Sequence, residues 1–206
     1  KVSLSSGVVI AGDHTPVFFL RRLVEELLKS AKAKAKGLRQ RGFYGATVDF
    51  LVLKSTGMIA TNVRDFRQSA LKRNNLYLTA RPYTVPELEA LLEAVKSLKR
   101  EGFPRSQLHR LREQLEKGWL ASIVEYLYLQ ARLRRAEEVG KARAEEVRKA
   151  LDGVWVGLQD RGRPGSIGPW MRRESDNGED HEFETVLGDL VEIYDFVPEG
   201  GREDAG

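Results

Sequence analysis

The feature that most constrains this chain is a strand and a helix set one after the other near its start. Val8, Val9 and Ile10 are apolar on successive positions. A strand over residues 4–11 (LSSGVVIA) therefore has both faces covered, as in a sheet packed by helices. The turn GDHTP follows, in which Thr15 reads as a helix cap and Pro16 as the first helical position. Phe19, Leu20, Leu23, Leu27, Leu28 and Ala31 then recur with the period of a helix lying on a sheet, and Gly37 reads as its stop. Residues 46–54 (ATVDFLVLK) form a second strand, apolar and β-rich through VDFLVL except for Asp49. A strand is not stable alone. Partners for the first one must come from later in the chain or from outside it.

The texture changes after residue 80. Residues 56–80, with Gly57, Asn74 and Asn75, read as loop with a last strand in LYLTA. TVPE at 84–87 has the capping-box spacing, with Thr84 as cap and Glu87 at the third helical position. Leu88, Leu91, Leu92, Val95 and Leu98 give a helical stripe to about Arg100. FPRS restarts a helix carrying Leu108, Leu111 and Leu115, stopped near Gly118. A longer helix from Trp119 places Ile123, Leu127, Ala131 and Leu133 on one face and continues, with a break at Gly140, to about Leu151. Residues 152–181 are rich in glycine and mixed charge and read as a mobile loop. ETVLGDLVEIYDF (184–196) is a closing apolar helix. The fold class expected is α+β: a partial sheet domain over residues 1–80, a small helical bundle over 81–197 and a tail over 198–206.

Composition narrows the functional classes. In 206 residues, Lys and Arg total 34 against 30 Asp and Glu, a net charge of +4 that permits a nucleic-acid or nucleotide partner without demanding one. Cysteine is absent, which excludes disulfides and thiolate metal sites. No apolar run is long enough to span a membrane, so a cytoplasmic location is the expectation.

Several groups are chemically suggestive. Lys29, Lys32, Lys34, Lys36, Arg39 and Arg41 crowd the end of the first helix, and Lys29, Lys32 and Lys36 share a face at 100° per residue. Lysines there suit a triphosphate or a nucleic-acid backbone, but they also complement the helix dipole with no ligand. Ser5, Ser6 and Gly7 open the first strand. A glycine there admits a flat ligand or simply another backbone, and a serine can bond a base edge. Asp13 reads as a turn former and Asp49 as the partner of a backbone or basic group. His14, His109 and His181 stand isolated, without ligand or catalytic spacing. Arg105, Arg110, Arg112, Arg132, Arg134 and Arg135, with His109, are candidates to track a phosphate backbone, although solvated helix faces look the same. Trp119, Tyr126 and Tyr128 read as core or interface anchors.

In combination these segments carry more than any one does. The order of LSSGVVIA, GDHTP, ELLKSAKAKAK, VDFLVL, LTARPYT, FPRSQLHRLREQL and ETVLGDLVEIYDF resembles the C-terminal part of the large signature subunit of type III CRISPR effector complexes, over about residues 3–196. The resemblance implies a ferredoxin-like palm related to GGDEF cyclases, followed by a helical C-terminal domain. It implies conversion of ATP to cyclic oligoadenylate messengers when target RNA binds, with other effector subunits, guide RNA and target RNA as partners. In such proteins a Gly-Gly-Asp-Asp hairpin holds Mg²⁺, and it lies on the chain before the strand that opens this sequence. The expectation is therefore that the neighbouring strands and the metal ligands lie upstream. Ser5 and Gly7 match the family's Ser-Ala-Gly strand start, with Ser6 where alanine is usual, and Lys32 matches the lysine of its "AK" helix. Lys29 and Lys36 lie one turn away. Gly12 and Asp13 intervene before His14, where the family often has histidine directly after "IA". A reading of a different class makes the segment a helical interaction module that docks small subunits and RNA.

Overall fold

A computed structural model of the chain describes residues 4–42, 44–53, 62–135, 138–157, 168–173 and 182–198. It is a mixed helix and sheet structure that divides into two compact units. The first comprises residues 1–72 and 80–88, and the second comprises 73–79 and 89–206.

The first unit is built on β1 (Ser5–Ala11), α1 (Val17–Gln40) and β2 (Thr47–Leu53). β1 and β2 pair in parallel along their whole length, from Ser5 opposite Thr47 to Ala11 opposite Leu53. A parallel pair needs a crossover, and α1 supplies it. A short strand, β5 (Tyr83–Thr84), adds antiparallel to the other edge of β2. The sheet order is β1-β2-β5, so β1 is an edge strand among the described residues.

α1 lies directly on the sheet. Leu23, Leu27 and Ala31 are buried beneath it, as the apolar stripe requires. Gly7 fixes how close the helix comes. A Cβ there would sit 2.7 Å from Leu28 N and from Val24 O, so strand and helix touch backbone to backbone. The helix start differs from expectation by one residue. Pro16 is extended and caps the helix without a side-chain bond, while Thr15 belongs to the preceding turn. Gly37 does not stop α1. One internal glycine costs only about 1 kcal/mol, and the turn out of the helix falls at Gly42, whose φ of 86° suits glycine.

Between β2 and β5 lies α2 (Val63–Ala70), a helix the sequence reading left as loop. Asn62 caps it by accepting from Asp65 N at 2.7 Å, and Val63 and Phe66 are its buried residues. Gly57 lies outside the described residues.

The second unit is not a bundle alone. It contains most of α3 (Val85–Arg100), then α4 (Arg105–Lys117), α5 (Trp119–Arg134), α6 (Glu138–Gly157) and α7 (Leu187–Ile193). α4 packs on α5 and α7, and α5 packs on α6. A small sheet accompanies them, in the order β3 (Lys72–Arg73), β4 (Leu76–Tyr77), β7 (Glu182–Glu184) and β6 (Met171–Arg173). β4 pairs parallel with β7, and β6 pairs antiparallel with it. LYLTA thus enters this second sheet through Leu76 and Tyr77 alone.

α5 ends at Arg134 rather than running on, and Gly140 lies inside α6. The buried residues of α5 are Ser122, Tyr126 and Leu129, not the stripe through Leu127, which is 57% exposed. Within 152–181, α6 extends to Gly157 and residues 171–173 form β6, while 158–167 and 174–181 lie outside the described residues. Trp170 is the anchor that overrides the loop texture. It is fully buried, stacks on Trp119 at 6.2 Å, and donates from Nε1 to Ser122 Oγ at 2.7 Å. Burying an indole stabilises by several kcal/mol, enough to hold residues 168–173 in place. At the closing helix, β7 comes first and α7 second, with every residue of α7 buried.

Replacement of Gly7 by alanine must push α1 off β1, which should cost about 1–3 kcal/mol. Urea unfolding followed by circular dichroism checks this. Unchanged stability would mean that helix and strand do not touch at Gly7.

Candidate functional site

The basic end of α1 divides by face. Lys34 turns inward and is committed. Its Nζ donates to Glu87 Oε2 at 3.0 Å and to the Pro82 carbonyl at 2.6 Å, and the two side chains are 15% and 4% exposed. Glu87 has a second duty in the capping box at the start of α3. Its Oε2 accepts from Thr84 N at 2.7 Å, while Thr84 Oγ1 accepts from Glu87 N at 3.4 Å. The reciprocal cap legible in TVPE is therefore present. Its carboxylate also holds Lys34, fifty-three residues upstream, closing the end of α1 onto β5.

Lys29, Lys32 and Lys36 lie on the opposite, exposed side of the helix. None of them has an acid partner among the described residues, whereas Arg21 and Arg22 on the same helix pair with Glu25 and Glu26. Three ammonium groups at i, i+3 and i+7 with no counter-charge are an anion-attracting face.

The Ser5-Ser6-Gly7 start is mostly turned inward. Ser5 Oγ and Thr47 Oγ1 are 3.0 Å apart, and Thr47 Oγ1 donates to the Ala31 carbonyl at 2.9 Å. Together they tie β1, β2 and α1 at one end. Gly7 is spent on the close approach of α1. Strand alternation places Ser6 on the other face of the sheet, along with Val8, which is 40% exposed.

Asp49 has the basic partner its place in an apolar strand calls for. It is fully buried, and its two oxygens take Arg67 Nη1 and Nη2 at 2.9 and 2.6 Å. This bidentate pair anchors α2 to β2. A carboxylate so engaged is not free to hold a metal. Asp13 lies at the surface with His14 Nε2 at 3.5 Å. Among the described residues no group of three acidic or histidine side chains is placed to hold an ion. His109 is exposed on α4, and His181 lies outside the described residues.

The arginines proposed from sequence in the second unit separate into spent and unspent. Arg105 pairs with Asp195, Arg110 with Glu125 at 2.9 Å, and Arg112 with Glu116 at 3.1 Å. Arg132 lies over the Tyr128 ring at 5.9 Å. Arg134 and Arg135, at the end of α5, have no acid partner among the described residues. Sequence spacing alone could not make this division, because Asp195 and Glu125 reach their partners across the fold. Lys34 was likewise hidden among four similar lysines. The one available signal was that Lys34 falls three residues after Ala31 on the buried stripe.

No protein-family model matches the sequence, and no curated protein is significantly similar to it.

Lys34→Met removes the cation from a buried carboxylate while keeping the aliphatic stem. Breaking such a pair should destabilise by about 3 kcal/mol, toward the low end for buried pairs because Lys34 is not fully enclosed. Lys32→Met, on the exposed face, should shift stability by less than about 0.5 kcal/mol. Parallel urea unfolding of the two variants checks the contrast.

Proposed function

We propose that this chain forms part of the large subunit of a type III CRISPR effector, with its first unit contributing one wall of an ATP-binding palm that makes cyclic oligoadenylates. The observation that carries the reading is the exposed face of Lys29, Lys32 and Lys36, on a helix held against an edge strand that has no outer neighbour among the described residues. Phosphoryl transfer depends chiefly on positioning and on neutralising phosphate charge. Three unpaired lysines on a fixed helix suit the second task. The open edge of β1 suits addition of a further palm strand, which would bring a catalytic hairpin alongside.

The described residues fit the triphosphate and do not fit Mg²⁺. Asp49 is committed to Arg67, and Asp13 has only His14 beside it. In this reading the metal ligands belong to the Gly-Gly-Asp-Asp hairpin, and the lysines of this chain hold phosphate oxygens. Ser6, on the uncovered face of β1, is the best placed of the three opening residues to meet a nucleotide, since Ser5 and Gly7 serve the packing of α1.

A second reading is favoured by a separate observation. Leu120, Val124, Leu127 and Tyr128 lie along α5 at 73%, 59%, 57% and 51% exposure. Their spacing gives one apolar stripe, which suits docking of a small helical subunit in a ribonucleoprotein.

In an assembled effector carrying the catalytic hairpin, Lys32→Ala should lower cyclic oligoadenylate synthesis by roughly a hundredfold, as for loss of one charge-stabilising donor. Target RNA binding should be unchanged. Messenger synthesis at the wild-type rate would defeat the palm reading and leave the docking one, which Val124→Asp tests through loss of subunit assembly. The isolated 206-residue chain should make no cyclic oligoadenylate from ATP and Mg²⁺; product from it would overturn the placement of the metal ligands on a hairpin outside these residues.

A further inference from the structure

The second unit contains a cleft of ≈ 540 Å³ between α5 and α6, separate from the lysine face of the first unit. One wall is a single face of α5, with Leu127, Gln130, Ala131 and Arg134 at i, i+3, i+4 and i+7. The opposite wall is Asp152 and Trp155 of α6, and Arg135 stands at the end. The volume falls within the roughly 300–1,000 Å³ typical of small-molecule sites.

Its polar groups are arranged as donors with capacity to spare. Tyr126 lies within the cleft wall and is 7% exposed. Its hydroxyl oxygen accepts from Trp155 Nε1 at 3.2 Å and from Gln130 Nε2 at 3.1 Å. Both lone pairs are then used, and the phenolic proton has no acceptor among the described residues. Burial pushes this phenol above its ordinary range, with the Asp152 charge adding to the effect, so it stays protonated and a donor at neutral pH. Arg134 and Arg135 add two guanidinium groups without acid partners among the described residues. Asp152 is the complementary acceptor. Arg148 Nη1 pairs with it only at 3.5 Å, and Arg148 makes its closer bond to Glu145 at 2.6 Å.

Cations at the C-terminal end of a helix offset its dipole, and that suits Arg132, Arg134 and the C-cap Arg135 alike. It does not account for a buried phenol with an unspent proton facing a concave surface. We infer that the α5–α6 cleft binds a ribonucleoside monophosphate unit, free or within an RNA strand. The phosphate meets Arg134 and Arg135, whose forked donors match its oxygens. The sugar or base offers a donor to Asp152 and an acceptor to Tyr126, and the base lies against Leu127 and Ala131. A simple anion would leave Asp152 repelled, and an uncharged base would leave both arginines without a partner.

Calorimetry and tryptophan fluorescence on the 206-residue chain, with AMP, inorganic phosphate and a short oligoadenylate as probes, test this. AMP should bind saturably and more tightly than phosphate. Arg134→Ala with Arg135→Ala should weaken AMP by at least about tenfold, and both residues are exposed, so the fold is not at risk. Asp152→Asn should reduce the preference for AMP over phosphate, and Tyr126→Phe should weaken AMP several-fold. An oligoadenylate that binds more tightly than AMP assigns the site to an RNA strand, and the reverse assigns it to free nucleotide; either upholds the site. The titrations are run in the combined Lys29→Ala, Lys32→Ala and Lys36→Ala background, which removes the lysine face as a second anion site. No saturable binding, AMP no tighter than phosphate, or AMP affinity unchanged by the arginine substitutions would each overturn the inference. None of these results depends on cyclase activity.

Discussion

Glu87 is the group on which the first unit most depends. One carboxylate terminates a helix cap, accepts a buried ammonium and stands almost out of contact with water. A buried carboxylate is tolerated only when its charge is matched and its oxygens bonded. Lys34 matches the charge, and Lys34 and Thr84 both bond Oε2. Because Lys34 comes from the end of α1 and Thr84 from β5, satisfying Glu87 fixes the distance between segments fifty residues apart in sequence. The Ser5–Thr47–Ala31 chain of hydroxyls does the same at one end of β1 and β2. These polar ties set the register of helix on sheet, whose apolar contacts, being non-directional, would accept several.

The same economy explains the division of charge along α1. A lysine with an inward partner stabilises the fold, and one without a partner adds self-repulsion to it. Lys29, Lys32 and Lys36 raise the local positive potential with no compensating acid among the described residues, while Arg21 and Arg22, about two turns before Lys29, are each matched. In the second unit the pattern recurs. Arg105, Arg110 and Arg112 have acids, and Arg134 and Arg135 have none among the described residues. Unmatched cations confined to particular faces are where binding energy for an anion is available, since no internal partner need be broken first.

What the sequence disclosed follows the range of each signal. β1, β2 and the first turns of α3 were legible because successive apolar residues and a four-residue cap are local patterns. The stop of α4 at Gly118 was legible for the same reason; its φ of 113° excludes most other residues. α2 was missed because its stability rests on Asn62 and on the Arg67–Asp49 pair, and the second of these is a tertiary contact. The buried face of α5 was misplaced because Ser122 and Tyr126, both polar, face inward to bond Trp170 and Trp155, while Leu120 and Val124 face out. A hydropathy stripe ranks residues by transfer energy and is blind to a hydroxyl that an indole N–H requires. For the candidate site, the shared face of Lys29, Lys32 and Lys36 was readable from spacing. The commitment of Ser5 and Gly7 to packing was not, since nothing in three residues reveals what lies over a strand.

The outer edge of β1 has a consequence for handling this protein. Leu4, Val8, Val17 and Phe18 are all well exposed in the first unit, and β1 has no outer neighbour among the described residues. Such an edge is a template for pairing with another copy, and residues 4–11 carry none of the charge that usually discourages this. Isolated chains should therefore clump as they are concentrated, by an intermolecular ribbon that added salt, screening the lysine face, would encourage. Whatever shields that strand in the cell also acts as its solubiliser.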